Sequence, residues 1–157
     1  MKKNYVMLAL MALSLFSACK KDDKKSSSSS GSASANLIGK KWKLTAYRYN
    51  YSGVDVDGYS TLSDCARDNY SEFKSGDVVT AYEGATKCDA SSPDSQSGKW
   101  KLQSSDTEIL LTDFTAVYGV SSLVMKIVIL NSTTLKVTYT TTVGGPTIFN
   151  TATYTAM

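Results

Sequence analysis

Histidine is absent from the 157-residue chain, and proline occurs only twice. Without histidine the chain lacks the usual general base near neutral pH and the commonest zinc ligand, which excludes the most frequent designs of hydrolase and zinc site. We therefore expect no catalytic residues, no cofactor and no metal. Tyrosine, by contrast, occurs 10 times. Threonine, serine and valine are also abundant, which favours strands and turns over helices.

The chain also has little excess charge, with 17 basic against 14 acidic residues. The excess lies near the start, in Lys2, Lys3 and the four lysines between residues 20 and 25. The remainder is close to neutral, whereas nucleic-acid-binding domains usually carry a basic patch. We therefore expect no nucleic-acid partner.

The first 18 residues have the organisation of a secretory signal. Lys2 and Lys3 precede an almost wholly apolar run from Val6 to Phe16. This run is shorter than the about 20 residues that a membrane-spanning helix needs, but it suits the core of a cleaved signal. The small pair Ser17-Ala18 supplies a cleavage site, which predicts a signal peptide over residues 1–18.

The segment Phe16-Ser17-Ala18-Cys19 resembles the lipobox of bacterial lipoproteins, with phenylalanine in place of the usual leucine. The resemblance implies cleavage before Cys19 and attachment of acyl chains, palmitate among them, to that residue. Two or more acyl chains anchor a protein firmly, whereas one chain binds only marginally. The alternative is an ordinary secretory signal in which Cys19 is incidental.

A charged run and a Ser-rich stretch follow Cys19. The run Lys20 to Lys25 resembles the surface-export signal of Bacteroidota lipoproteins, which implies the outer leaflet of the outer membrane. The alternatives are a plain charged spacer and the periplasm-facing leaflet. The stretch Ser26 to Ala35 has the composition of a flexible linker. We therefore expect a tether over residues 19–36 and a folded, monomeric domain over residues 37–157.

Two cysteines, Cys65 and Cys88, remain once Cys19 is assigned to lipid. An even number of cysteines in an exported domain indicates a disulfide. The two residues also flank a predicted hairpin, so antiparallel pairing of its strands brings them together. A thiolate metal site or a catalytic thiol is the alternative, and the chain has no histidine to partner either.

Short strands separated by turns run through the predicted domain. Apolar and polar residues alternate in the first strand, so that Trp42 and Leu44 face one side, and Tyr47, Tyr49 and Tyr51 continue the other. We count about eight strands and no clear helical period. This count predicts an all-β, antiparallel up-and-down barrel, because closure removes exposed edges. A two-sheet β-sandwich is the alternative.

Four segments, taken in order, resemble the lipocalin-like domains of Bacteroidota lipoproteins: Gly39 to Leu44, Cys65 to Phe73 with Gly76, the loop around Cys88, and Gly98 to Trp100. The resemblance spans nearly all of the predicted domain and implies a small barrel with a calyx, without naming a ligand. Lipocalins usually open with glycine, one residue and then tryptophan. Here two lysines separate Gly39 from Trp42, so we expect a bulge or a shifted turn.

The aromatic residues are the candidate binding residues. Trp42 and Trp100 either line a ligand cavity or plug the barrel, and the plug is favoured because small barrels are filled by side chains. Tyr47, Tyr49 and Tyr51 either form an exposed stripe that stacks on a surface glycan or protein, or pack across strands. The leading hypothesis is non-covalent binding of a small apolar or amphipathic ligand. The alternative is a surface interaction module with a filled barrel.

Two pairs of acidic residues allow a second interpretation. Asp55 and Asp57 faintly resemble a calcium loop, although a role in turns is favoured. Asp106 and Glu108 lie two apart on one predicted strand, as paired catalytic carboxylates can, although a solvated strand end is favoured.

Overall fold

Nine antiparallel strands and two short helices make up the part of the chain that the computed structural model describes, residues 30–115, 119–142 and 145–157. Among these residues, no helix has both the length and the apolar character needed to cross a bilayer. In chain order the elements are α1 (Ser30–Leu37), β1 (Lys41–Tyr51), β2 (Val54–Asp57), α2 (Asp64–Arg67), β3 (Tyr70–Lys74), β4 (Val78–Tyr82), β5 (Ser95–Gln103), β6 (Glu108–Thr112), β7 (Ser122–Leu130), β8 (Thr134–Thr141) and β9 (Ile148–Ala156).

Eight of the strands close into a barrel. From β3 to β9 each strand pairs with the next one in sequence, and β1 pairs with both β3 and β9. The ninth strand, β2, forms a hairpin with the last residues of β1, from Arg48 to Tyr51. Closure leaves the eight barrel strands without an unpaired edge, which is the physical reason to prefer it over an open sheet. The predicted up-and-down barrel is therefore confirmed, and the structure is not a sandwich.

A β-bulge in β1 decides which side chains face the barrel interior. The register between β1 and β9 shifts between Leu44 and Ala46. Beyond this shift, Tyr47 pairs with Ala152 and Tyr49 pairs with Asn150. Both partners are buried inside the barrel, and residues paired across strands share a face. The extra residue of the bulge thus returns the tyrosines to the interior face, contrary to the face that simple alternation predicts.

One end of the barrel, hereafter the closed end, is filled by side chains. Trp42 is 1% exposed, and its Nε1 donates a hydrogen bond of 3.0 Å to the carbonyl oxygen of Leu37. Trp100 Nε1 donates to the carbonyl oxygen of Lys74 at 3.1 Å, and its ring meets that of Phe73 edge-on at 5.2 Å. A cavity of only about 20 Å³ remains among these core residues. Both tryptophan side chains thus pack into the core, and their assignment as plug or ligand-binding residues stays a prediction.

Helix α1 occupies part of the segment for which composition predicts a flexible linker. The amide of Ile38 donates to the carbonyl oxygen of Ser34 at 2.8 Å, and Leu37 is fully buried against the closed end. Short isolated helices are marginal in water, so tertiary burial is what stabilises this one. Helix α1 thus precedes residue 37, and the boundary of the folded domain at that residue stays a prediction.

Candidate functional site

The end opposite to the closed end, hereafter the open end, carries the longer connections between strands. Cys65, in α2 before β3, forms a disulfide with Cys88, which lies between β4 and β5. This confirms the predicted pair. The bond links two neighbouring connections at the open end, and it closes a loop with a sequence separation of 23.

Hydrogen bonds hold the same two connections together beside the disulfide. Asp68 Oδ2 accepts from the amide of Thr86 at 3.0 Å, and Asn69 Oδ1 accepts from the amide of Gly84 at 2.8 Å. A Cβ atom at Gly84 would lie 2.2 Å from Asp68 Oδ1, so only glycine allows this approach. The connections therefore form one rigid cover over part of the open end.

Beneath this cover lies the inner cavity, with a volume of about 320 Å³. Its apolar walls include Trp42, Leu44 and Ala81, which project from β1 and β4. Its polar lining includes Glu83, Ser71 and Gln96. The volume lies within the range of small-molecule sites, which are mostly apolar with a few polar groups that orient the ligand.

A second, wider depression, hereafter the mouth cleft, has a volume of about 680 Å³. Tyr47, Tyr49 and Tyr51 line it together with Val54 and Val56 of the β1–β2 hairpin. The rings of Tyr47 and Tyr49 are tilted, with centroids 5.9 Å apart. Tyr51 is 46% exposed and Val54 is 62% exposed. The cleft is thus aromatic and aliphatic, and its outer part faces solvent.

Tyr47 is held firmly at the base of the mouth cleft. Its hydroxyl donates to Oδ1 of Asn150 at 2.7 Å, and a Cβ atom at Gly58 would lie 2.6 Å from its ring. Burial raises the pKa of the Tyr47 phenol, and the nearby Tyr49 raises it further, while a hydrogen bond with Tyr139 lowers it. The phenol therefore stays protonated and remains a hydrogen-bond donor.

The predicted binding residues fall into three places. Trp42 lies between the closed end and the inner cavity and lines the latter, whereas Trp100 packs in the closed end. The tyrosine stripe lines the mouth cleft. The predicted lipid-attachment residue, Cys19, lies outside the described residues.

Two polar residues that bear on these cavities, Glu83 and Asn150, escaped the sequence analysis. Asn150 is 3% exposed, and its side chain accepts a hydrogen bond from the hydroxyl of Tyr47. In β9 it lies two residues before the buried Ala152 and therefore on the same face. A polar residue on this otherwise apolar face could have identified it from the sequence. Glu83 follows Ala81 by two residues, and this period also places it on the interior face.

The acidic residues act as turn and strand-end groups. Asp57 Oδ1 accepts from the amides of Tyr59 and Ser60 at 3.1 and 3.3 Å, which is the predicted role in a turn. Glu108 accepts from the Ser104 hydroxyl at 2.6 Å. Within the described ranges, no three His, Cys, Asp or Glu side chains are grouped closely enough to hold a metal ion.

The chain was compared with protein families and with solved structures. A family model described as a lipocalin-like domain matches residues 37–137. A lipocalin-like protein from Bacteroides uniformis is 16% identical, with 78% of this chain and 99% of that chain covered and a TM-score of 0.48. Bovine odorant binding protein, in complex with a selenium-containing odorant, is 14% identical, with 78% and 71% covered and a TM-score of 0.44. No curated protein matches. Since the family model spans more than half of the chain, the chain belongs to the family of lipocalin-like domains.

Proposed function

We propose that the barrel binds a small apolar or amphipathic molecule non-covalently in the inner cavity. The observation that carries this proposal is the uneven filling of the barrel. Only about 20 Å³ remains among Trp42, Phe73 and the core side chains around them, whereas the half-open inner cavity has a volume of about 320 Å³. A cleft of this volume, with an apolar wall and a few polar groups, is the usual form of a small-molecule site.

The lining of the inner cavity favours an amphipathic ligand over a purely apolar one. Trp42, Leu44 and Ala81 offer apolar surface for the body of the molecule. Ser71 and Gln96 offer polar groups that can orient it. Apolar burial provides most of the affinity in such sites, and the few polar groups provide specificity.

Filling the cavity tests this proposal. Ala81→Phe adds a ring to the cavity wall, and Ala85→Phe places the same ring on an exposed residue of the neighbouring connection. We expect Ala81→Phe to weaken binding of the dye phenylnaphthylamine by about ten-fold or more, which is about 1.4 kcal/mol. The Ala85→Phe control should bind like the parent protein. Equal binding by all three proteins contradicts the proposal.

Native mass spectrometry of protein purified from its own host then identifies the molecule. The expected result is a complex whose extra mass is lost on denaturation. The Ala81→Phe variant from the same host should lack that extra mass. If the variant retains it, the molecule occupies another part of the protein.

The mouth cleft supports a second candidate function, contact with a surface glycan or protein. The observation that favours it is the exposure of Tyr51 and Val54, which lie side by side on the β1–β2 hairpin. Exposed aromatic residues often anchor interfaces. Tyr51→Ala should abolish such binding on a glycan array or in a pull-down, while phenylnaphthylamine binding in the inner cavity persists.

For the location of the protein we propose an outer-membrane anchor through acyl chains on Cys19, with the domain on the cell surface. The support is the sequence from Phe16 to Lys25, with its resemblance to a lipobox and an export signal. Cys19→Ala should move the protein from the detergent phase to the aqueous phase in Triton partitioning. Protease added to intact cells should degrade the parent protein, and survival of the domain would point to the periplasm-facing leaflet.

A further inference from the structure

Glu83 brings a negative charge to the inner cavity. It directly follows β4, and its amide donates to the carbonyl oxygen of Asp94 at 2.9 Å, which fixes its backbone at the cavity edge. The Oε2 atom of Glu83 is buried and has no hydrogen-bond partner among the described residues. A buried carboxylate oxygen without a donor is unfavourable, so such an atom is usually completed by a partner.

The nearby cations, Lys87 and Arg67, do not line the inner cavity. Lys87 pairs with Asp94 and donates to the carbonyl oxygen of Ser92 at 2.9 Å. Arg67 donates to the carbonyl oxygen of Ser60 at 2.7 Å, while its buried Nε has no hydrogen-bond partner among the described residues. Among the described residues that line the inner cavity, none is a lysine or an arginine. The described lining of this cavity therefore contains a carboxylate and no cation.

The other residues that line the cavity indicate which kind of ligand could pair with Glu83. Trp42, Leu44 and Ala81 form an apolar wall in the same cavity, which has a volume of about 320 Å³. Because Oε2 has no accessible surface, a ligand meets this oxygen only after a change in the side-chain torsions of Glu83, of which the terminal one is broad. A like-charged carboxylate on a ligand would be repelled here, and a neutral ligand would leave the charge unpaired.

We propose that the ligand of the inner cavity is a small organic cation, a primary amine with one compact apolar group, whose ammonium pairs with Glu83. This inference rests on the proposed function and specifies the ligand class for the same cavity. The ammonium supplies three donors to the carboxylate and its polar neighbours. The apolar group lies against Trp42.

Three matched compounds test the ligand class by isothermal titration calorimetry: phenethylamine, phenethyl alcohol and hydrocinnamate. They share one aromatic ring on a short arm and differ in the charge of the terminal group. We expect the amine to bind about ten-fold to a hundred-fold more tightly than the alcohol, as for hydrogen bonds to charged groups. Hydrocinnamate should bind most weakly.

Two variants, each of which replaces one glutamate by glutamine, test whether Glu83 causes the preference for the amine. Glu83→Gln keeps the shape of the side chain and should remove the preference for the amine, so that amine and alcohol bind alike. Glu72→Gln is the matched control, because Glu72 interacts with Lys74 at 3.7 Å and does not line the cavity. It should retain the full preference. Thermal unfolding of both variants checks that the fold persists.

The outcomes separate the two proposals. Equal binding of amine and alcohol to the parent protein, or an unchanged preference in Glu83→Gln, overturns the amine inference while binding in the cavity stands. If none of the three compounds binds and phenylnaphthylamine does not bind either, the proposed function fails and the inference fails with it.

Discussion

The hydroxyl of Tyr47 donates a 2.7 Å hydrogen bond to Oδ1 of Asn150, across the pairing of β1 with β9 that closes the barrel. Asn150 in turn donates to the carbonyl oxygens of Tyr139 and Ile148 at 3.4 and 3.2 Å. The three strands β1, β8 and β9 are therefore joined by side chains as well as by backbone. This contact lies at the base of the mouth cleft.

Removing the hydroxyl of Tyr47 should destabilise the barrel. Tyr47→Phe removes the hydroxyl that donates to the buried Oδ1 of Asn150, which costs about 1–3 kcal/mol in unfolding free energy. Tyr49→Phe, on the same face, is the matched control and should change stability by less. Urea denaturation followed by circular dichroism measures both values. Equal stabilities for Tyr47→Phe and the parent protein would show that this contact does not stabilise the fold.

Loss of the Cys65–Cys88 disulfide should lower stability by about 3 kcal/mol on the chain-entropy model. The double variant Cys65→Ser/Cys88→Ser should therefore unfold at a lower temperature than the parent protein. Reductant should lower the melting temperature of the parent protein to that of the variant, and it should leave the variant unchanged. A parent protein insensitive to reductant in the unfolding scan would contradict the prediction.

Gly98 lies in β5, close to the last residue of β6 and to Phe114, which follows β6 in the chain. A Cβ atom there would lie 2.7 Å from the carbonyl oxygen of Thr112 and 2.9 Å from Cβ of Phe114. Gly98→Ala forces the backbone of a packed interior to shift, which typically costs about 1–3 kcal/mol. Lys99→Ala, at the exposed next residue, should be near neutral. Calorimetric melting temperatures compare the two variants, and similar values for both would refute this view of Gly98.

Glu108 makes stability depend on pH at the turn between β5 and β6. Hydrogen bonds from Ser104 and then from Gln103 lower the pKa of the Glu108 carboxyl. Because the folded-state pKa is depressed, the contribution is present above the unfolded-state pKa and is lost as pH falls through the folded-state pKa. The parent protein should thus exceed Glu108→Gln in stability at neutral pH, and the gap should narrow in acid. A gap that is constant with pH would exclude this role.

Local patterns in the sequence predicted a large part of the barrel. The hairpin of β3 and β4, with a cysteine near each of its ends, could be read from alternation and spacing because both depend on residues close in the chain. The eight-strand count and the closed barrel followed from the number of turns. The disulfide followed from the even cysteine count.

The interior face of the tyrosines could not be read in the same way. Tyr47 lies inward because β1 shifts its register against β9 between Leu44 and Ala46. The partners of β1 in this pairing, such as Ala152, lie more than a hundred residues later. Alternation within β1 carries no information about a bulge that such a distant strand imposes.

Helix α1 and the lining of the inner cavity likewise depend on tertiary contacts rather than on local sequence patterns. Ser-rich composition predicted a flexible tether, but Leu37 is buried under the barrel and draws the preceding turns into a helix. Glu83 becomes a site residue only because the connection that follows β4 lies over the cavity beside Pro93. Local periodicity places Glu83 on the interior face, but it does not show that the connection covers a cavity there or that Leu37 is buried.

The sequence by itself determined the strand pattern, the disulfide pair and the family-like segments, because hydrophobic alternation and residue identity act over a few neighbouring positions. It is also the sole basis for the predicted signal, lipid site and tether. Only the tertiary structure decided which faces turn inward, where space remains in the barrel and which carboxylate borders it. These properties depend on register between strands distant in sequence, since a one-residue shift moves every following side chain to the other face of the sheet.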